Sequence, residues 1–296
     1  MSRVNYAVLT TEQSHPKSGD LDLLSPRAFV RLMNREDARV LKAVSRAERP
    51  LARAIVLIAR QLKTGGRLFF IGAGTSGRLG ILEAAECPPT FNTPPELIQA
   101  VMAGGPSAVF RSKEGAEDSE REAAAAVRRK VRRGDVVVGI AASGVTPFVR
   151  AALKHGRARG AKTLLITCNP GVRQAVDIKI ALATGPEILT GSTRLKAGTA
   201  CKIALNILTT GAMVQLGKVY GNRMVDLQPK SRKLVARGIR LIRDLTGRTE
   251  NDAQRLFREA RGRVKVAIVM ARKQLGYPAA LRRLADAGGY LRKALE

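Results

Sequence analysis

Five short apolar runs, separated by segments with helical spacing, constrain the fold of this 296-residue chain most strongly. The runs are nearly continuous in apolar residues, and most end in glycine or a polar turn: 67–74, 97–104, 135–144, 163–169 and 178–185. Strands of this kind, alternating with helices, are typical of a parallel sheet whose two faces are both covered. The pattern predicts an α/β fold.

Helical patterns flank this block on both sides. One covers 25–66, with a Ser-Pro start signal and a double glycine at its end, and another covers 192–218. The remainder shows helical patterns near 231–246, 250–260, 264–275 and 278–295, the second of which begins with a Thr-Glu-Asn-Asp cap region. We therefore predict a small helical appendage from about residue 235 onward.

The net charge of +28 raises the question of a nucleic-acid partner. A local basic cluster covers 127–133. Aromatic residues, however, make up only 4% of the chain, and no basic stripe interleaves with them as stacking platforms for single strands would require. Nucleic acid is therefore not predicted as the main partner, and solvated basic faces around an anionic substrate are the favoured interpretation.

Cysteine and histidine are too few for a metal centre. The three cysteines form no CxxC pair, and the two histidines lack ligand spacing, so we expect reduced thiols and no metal. We expect no membrane span, since no apolar run reaches the required length, and the sequence starts without a secretory signal pattern. These features predict a cytoplasmic protein.

Gly72, Gly74 and Gly77 match the G-x-G-x-x-G pattern of dinucleotide-binding loops. That motif also expects an acidic residue at the end of the next strand to hold a ribose, but this strand ends in Gly104 and Gly105. A Walker loop is excluded because no Gly-Lys-Ser/Thr follows. The glycines alone do not specify the ligand.

Two loops at strand ends place hydroxyls beside glycines at a helix start. The first offers Thr75 and Ser76, the second offers Ser143 and Thr146, and a third hydroxyl cluster at 190–199 leads into a helix with Lys196. Such residues often only cap helices. Two such loops on one sheet favour a bound phosphate, because helix N-termini attract anions and hydroxyls donate further hydrogen bonds.

Carboxylates near the same edge suggest acid–base chemistry. Glu86 is predicted at the C-terminal end of its helix, because Pro88 and Pro89 follow, and the negative end of a helix suits a proton donor. After the second strand come three more acids, namely Glu114, Glu117 and Asp118. A pair beside a phosphate cradle suits an acid and a base, but the spacing does not say which pair.

Several long motifs resemble those of the N-acetylmuramic acid 6-phosphate etherases. They include "GAGTSGRLGILEAAECPPTF", "EGAED", "VVVGIAASGVTPFV", "CNPG", "TGSTRLKAGTA" and "GKVYGNRMVDL", in the same order and with similar spacing over almost the whole chain. The resemblance implies a sugar isomerase (SIS) fold with a five-stranded parallel sheet flanked by helices. It also implies a cytoplasmic homodimer, with an N-terminal helical region at 1–55, an SIS domain at 56–225 and a C-terminal helical domain at 226–296.

The resemblance further implies a carbon–oxygen lyase that needs neither metal nor nucleotide. Its reaction removes D-lactate from C3 of the sugar and leaves N-acetylglucosamine 6-phosphate, by ring opening, elimination and rehydration, in cell-wall recycling. By motif, Glu86 in "AECPP" corresponds to the acid and Glu117 in "EGAED" is assigned as the base. The implied substrate contacts are Thr75, Ser76, Ser143, Gly144 and Thr146 for the phosphate, with Ser192 and Lys196 as candidates for the sugar or the partner's site.

Two alternatives share the fold. One is a non-catalytic phosphosugar-sensing regulator like the glucokinase regulatory protein, which would be expected to carry a second SIS domain. The other is a phosphosugar isomerase with one glutamate base, which would release no lactate. The high positive charge and the "LEAAECPP" stretch depart from the family pattern, but both carboxylates remain.

Overall fold

A parallel sheet of five strands forms the centre of the fold. The computed structural model describes residues 5–229 and 231–296 and divides into two compact units. The first comprises the chain up to residue 85 together with 95–209, and the second comprises 86–94 and 210–296. The strands all lie in the first unit: β1 Leu68–Gly72, β2 Ile98–Met102, β3 Val136–Ile140, β4 Lys162–Thr167 and β5 Ile178–Ala181.

The strand order is β2-β1-β3-β4-β5, and each neighbouring pair is parallel, which confirms the predicted sheet. From β1 the chain crosses to β2 on one side, whereas from β3 it crosses to β4 on the other. The ends of β1 and β3 are level, with Gly72 paired to Ile140. The connections thus diverge between these two strands, and α/β sheets bind ligands in the crevice outside the strand ends at such a point.

Six α-helices begin within the described part of the first unit: α1 Pro26–Arg46, α2 Glu48–Lys63, α3 Gly74–Phe91, α4 Glu120–Lys130, α5 Pro147–Ala158 and α6 Lys196–Gln215. The predicted start of α1 is confirmed, because the Ser25 hydroxyl accepts a hydrogen bond from the Ala28 N–H at 3.3 Å. The sequence-based division of the chain at residues 55 and 225 stays a prediction.

Helices pack on both faces of the sheet. Phe69 shares a buried core with Val127 of α4 and Leu153 of α5, whereas Gly80 of α3 lies against Phe70. Successive strand residues point to opposite faces, so α3 lies on the face opposite α4 and α5. A Cβ atom at Gly139 would lie 2.6 Å from Val149 Cγ1, which shows how closely α5 approaches β3.

The predicted end of α3 is wrong. The helix continues through Pro88 and Pro89 to Phe91, so Glu86 is not at its C-terminal end. A proline removes one helical N–H but its fixed φ is compatible with a helix, and here the Asn92 N–H still reaches the Pro88 carbonyl at 3.0 Å. Asn92, with φ of +51°, then ends the helix in the left-handed conformation that Asn tolerates. The helix-end argument for Glu86 as a proton donor therefore does not apply.

The second unit contains the five remaining described helices: α7 Arg232–Thr246, α8 Glu250–Glu259, α9 Val264–Lys273, α10 Tyr277–Asp286 and α11 Leu291–Leu295. Helix α9 is buried from Val264 to Met270 and forms the centre of this unit's core. The helical appendage is confirmed, but the single helix predicted near 278–295 is two. Gly288 and Gly289 interrupt it with φ of +63° and +80°.

All three cysteines, Cys87, Cys168 and Cys201, are buried. A hydrogen bond with Cys168 and burial both raise the pKa of the Cys201 thiol well above its ordinary value.

One described helix qualifies by length and composition as a candidate membrane span, which corrects the sequence-based expectation that no run is long enough. It is α6, and 56% of its most apolar window is buried inside the structure. Partial burial of this kind is what a core helix of a folded unit shows.

Candidate active site

A cavity of about 390 Å³ opens beyond the carboxyl ends of β1, β2 and β3 in the first unit. It lies at the point where the sheet connections diverge, and its volume is in the range of small-molecule sites. The predicted residues that line it are Thr75, Ser76, Ser143, Thr146, Glu114 and Glu117. The structure therefore brings together both hydroxyl loops and two of the candidate carboxylates.

The first hydroxyl loop follows β1 directly and forms the first turn of α3. Gly74, with φ of +52°, makes the turn, and Thr75 and Ser76 are half-buried at the cavity. A Cβ at Gly72 would lie 2.7 Å from the Gly77 backbone nitrogen, so these two glycines let the helix start touch the strand end. Their spacing is thus explained by close packing and requires no dinucleotide.

The second hydroxyl loop follows β3 and begins α5. The Ser143 hydroxyl accepts a hydrogen bond from the Val145 N–H at 3.3 Å and lies 3.4 Å from the Thr146 hydroxyl. Gly144 has φ of +75°, and a Cβ there would lie 2.6 Å from Thr167 Oγ1, so a side chain would fit neither the backbone nor the space.

Thr146 is the N-cap residue of α5, yet its side chain makes no capping hydrogen bond. Ser25, Ser119 and Thr249 do make such bonds at the starts of their helices. The hydroxyl of Thr146 is therefore not used to cap its own helix. It is available to a ligand beside the positive end of α5.

Two cations also line the cavity, and sequence reasoning missed both. Arg78 donates to the carbonyls of Val109 and Ala108 at 2.8 and 2.9 Å, and Lys113 Nζ donates to the Gly104 carbonyl at 3.0 Å. These acceptors are neutral, so the positive charge of each side chain remains to attract an anion. Arg78 lies within the long motif that begins at Gly72, but nothing in that motif marks it as a cavity residue, and Lys113 stands just before "EGAED". Carbonyls of the loop after β2 hold both side chains at the cavity.

The carboxylates are placed differently from one another. Glu117 is half-buried on a short 3-10 turn, Ala116–Asp118, and Glu114 is exposed just before it. Glu86 is an exposed residue of the second unit, whereas the cavity is lined by the first unit. Glu83 is buried within the first unit, where it accepts hydrogen bonds from Asn206 Nδ2 at 2.6 Å and from the Thr209 hydroxyl, which suits a structural role.

Lys196 and Ser192 do not line the cavity, although their neighbour Thr193 does. Lys196 is buried, with its Nζ 2.8 Å from Glu36 Oε2. Its backbone N–H donates to Glu187, which caps the start of α6. Burial raises the pKa of Glu187, against the opposing effect of the hydrogen bonds from the backbone of Ala197 and Lys196.

Two family models match parts of the chain. The model of the SIS domain matches residues 116–210, and that of the glucokinase regulatory protein N-terminal SIS domain matches 50–157. Among solved structures, the phosphoheptose isomerase of Neisseria gonorrhoeae is 18% identical, with a TM-score of 0.42, over 60% of this chain and 93% of its own. The fold and the family models thus define an SIS-domain protein.

Curated relatives narrow the class to one family. The N-acetylmuramic acid 6-phosphate etherase of Microcystis aeruginosa is 52% identical over 97% of this chain and 95% of its own length. That of Symbiobacterium thermophilum is 52% identical over 88% of each. The chain belongs to the family of N-acetylmuramic acid 6-phosphate etherases.

Proposed function

We propose that this protein is a carbon–oxygen lyase that cleaves the D-lactyl ether of N-acetylmuramic acid 6-phosphate. The products are N-acetylglucosamine 6-phosphate and D-lactate. The observation that carries the proposal is the 52% identity to etherases over 97% of the chain. A cavity with two hydroxyl-bearing helix starts, two cations and two of the predicted carboxylates supports it.

In this proposal the phosphate binds at the N-termini of α3 and α5. Thr75, Ser76, Ser143 and Thr146 donate hydroxyl hydrogen bonds, and Gly144 supplies the left-handed turn that places the second hydroxyl loop. Ser192 stays a candidate for a sugar contact because it adjoins Thr193 of the cavity wall. The buried ion pair of Lys196 with Glu36 supports a structural role for that lysine instead.

The reaction needs one base and one acid. Opening of the pyranose ring exposes an aldehyde at C1, which makes the C2 proton removable. Glu117 takes that proton, the C3–O bond breaks, and Glu86 protonates the departing lactate oxygen. Water then adds across the C2–C3 double bond, with its hydroxyl at C3 and its proton at C2. The role of Glu117 is supported by its position in the cavity, and that of Glu86 by the "AECPP" motif.

We also propose that the enzyme is a cytoplasmic homodimer that acts in cell-wall recycling. Exposed apolar side chains on α1 and α2, namely Phe29, Val30, Leu41 and Val56, support an association between copies. Light scattering on the purified protein should give about twice the 31.8 kDa chain mass. A monomer at micromolar concentration would contradict the proposed dimer.

The reaction is tested by incubating the purified protein with N-acetylmuramic acid 6-phosphate and measuring D-lactate. The wild type should release it, and Glu86→Gln, which also controls for contaminating enzyme, should not. Binding of the sugar phosphate without release of lactate would contradict the proposed activity.

The role of Glu117 is tested by the exchange of the C2 proton in D2O. We expect Glu117→Gln to abolish exchange and Glu114→Gln to retain it, because both side chains line the cavity but only Glu117 is assigned as the base. Exchange at the wild-type rate in Glu117→Gln would rule out this assignment.

A further inference from the structure

Residues 5–25, the described segment before α1, contribute no strand to the sheet, but they are hydrogen-bonded to the residues around the second hydroxyl loop. Thr11 is buried, and its hydroxyl accepts a hydrogen bond from Asn169 Nδ2 at 3.0 Å. The same nitrogen donates to the carbonyls of Ala142 and Ser143 at 3.1 and 3.2 Å. Asn169 therefore joins the N-terminal segment to the loop that begins α5.

A second anchor lies four residues further along. His15 is buried, and its Nε2 lies 3.0 Å from Glu36 Oε2, the same oxygen that accepts from Lys196. The His15 Nδ1 accepts a hydrogen bond from the Lys17 N–H at 3.2 Å. Residues 11 and 15 are thus both fixed to the interior of the first unit, which restricts the conformation of the chain between them.

Glu12 lies between these anchors and lines the cavity. Its Oε2 would be 3.4 Å from a Cβ atom at Gly191, which places the carboxylate beside the loop that carries Thr193. Its Oε1 accepts a hydrogen bond from the Thr11 hydroxyl at 3.4 Å, but in the part of the chain that the structure describes no cation pairs with it. A carboxylate that lines a binding cavity and pairs with no cation can accept hydrogen bonds from the neutral donors of a ligand.

We propose that Glu12 binds the sugar part of the substrate and accepts hydrogen bonds from its hydroxyl or amide donors. The inference deepens the proposed function and rests on it. Glu12 cannot serve the phosphate end, because two negative charges in contact repel each other. It therefore contacts the ring away from the phosphate, and the anchors at Thr11 and His15 hold the segment 11–15 as a wall of the sugar site.

The test compares Glu12→Gln with Gln13→Ala, an exposed neighbour that does not line the cavity. The probes are N-acetylglucosamine 6-phosphate and inorganic phosphate, measured by calorimetry on the full chain. We expect Glu12→Gln to lower the affinity for N-acetylglucosamine 6-phosphate by roughly 10–100-fold, the usual range for a hydrogen bond to a charged group. The affinity for inorganic phosphate should not fall. Gln13→Ala should bind both probes as the wild type does.

Three results would overturn the proposed contact between Glu12 and the sugar. Unchanged affinity for both probes would mean that Glu12 does not reach the sugar, and an equal loss for both would mean that it only supports the hydroxyl loop. A wild type without affinity for N-acetylglucosamine 6-phosphate would also overturn it. The proposed function is judged separately, by the release of D-lactate from the wild type.

Discussion

Lys196 Nζ lies 2.8 Å from Glu36 Oε2 in the interior of the first unit, and each side chain is only 2% exposed. The pair joins the middle of α1 to the first turn of α6. Burial favours the neutral form of Glu36, but the hydrogen bond from Lys196 and the contact with His15 outweigh it and hold the pKa of Glu36 below its ordinary value. The carboxylate is therefore ionised at neutral pH.

Breaking this pair from one side should destabilise the first unit strongly. Glu36→Gln leaves the Lys196 ammonium buried without a counter-ion, and we expect a loss of about 3–5 kcal/mol in the free energy of unfolding. Urea denaturation of the variant measures it. The double variant Glu36→Gln/Lys196→Met removes the stranded charge, so it should recover most of the loss. A double variant no more stable than Glu36→Gln would contradict the charge argument.

The same carboxylate predicts a pH dependence of stability. Because the pKa of Glu36 is lower in the folded state than its usual 4.5, the unfolded state binds more protons as the pH falls through that value. Its contribution to stability is present above pH 4.5 and is lost below it. The free energy of unfolding of the wild type should fall more steeply with decreasing pH than that of Glu36→Gln. Glu96→Gln, at an exposed residue, should keep the wild-type slope.

The parts of the site that the sequence predicted are local ones. Apolar runs and turn residues specify the strands, and the hydroxyls of both loops lie within a few residues of a strand end. Once the strands pair in parallel, Thr75 and Ser143 must reach the same edge of the sheet. The prediction that both hydroxyl loops lie at one edge of the sheet therefore required no knowledge of tertiary contacts.

The parts that the sequence did not predict depend on distant partners. Lys196 and Glu36 are 160 residues apart, and Asn169 and Thr11 are 158 apart, with no periodic pattern to relate them. The family resemblance makes Lys196 a candidate ligand contact, which stays a prediction, but it gives no sign of the distant partner Glu36. Glu12 carried no signal, since an isolated acid in an irregular segment is usually solvated.

Gly144 should be intolerant of a side chain for two separable reasons. Its φ of +75° strains any L-residue, and a Cβ would lie 2.6 Å from Thr167 Oγ1 at the hydroxyl loop. Gly185→Ala is the matched control, because Gly185 has φ of +77° but open space around it. We expect Gly144→Ala to lose at least about tenfold in affinity for inorganic phosphate, and Gly185→Ala to lose stability only. Equal phosphate affinity in the two variants would contradict the steric role of Gly144.

Thr146 and Thr249 are both N-cap residues, but we expect their hydroxyls to have different roles. The Thr249 hydroxyl accepts a hydrogen bond from the Asp252 N–H at 3.2 Å, whereas Thr146 makes no such bond. Thr249→Val should therefore cost about 1 kcal/mol of stability and leave phosphate binding unchanged. Thr146→Val should leave the free energy of unfolding nearly unchanged. It should lower the affinity for inorganic phosphate by roughly tenfold or more, since a hydroxyl donor to a charged ligand is lost. Thermal unfolding and phosphate titration of both variants provide the comparison. A Thr146→Val protein that loses stability and keeps its phosphate affinity would make this hydroxyl a helix cap and remove it from the site.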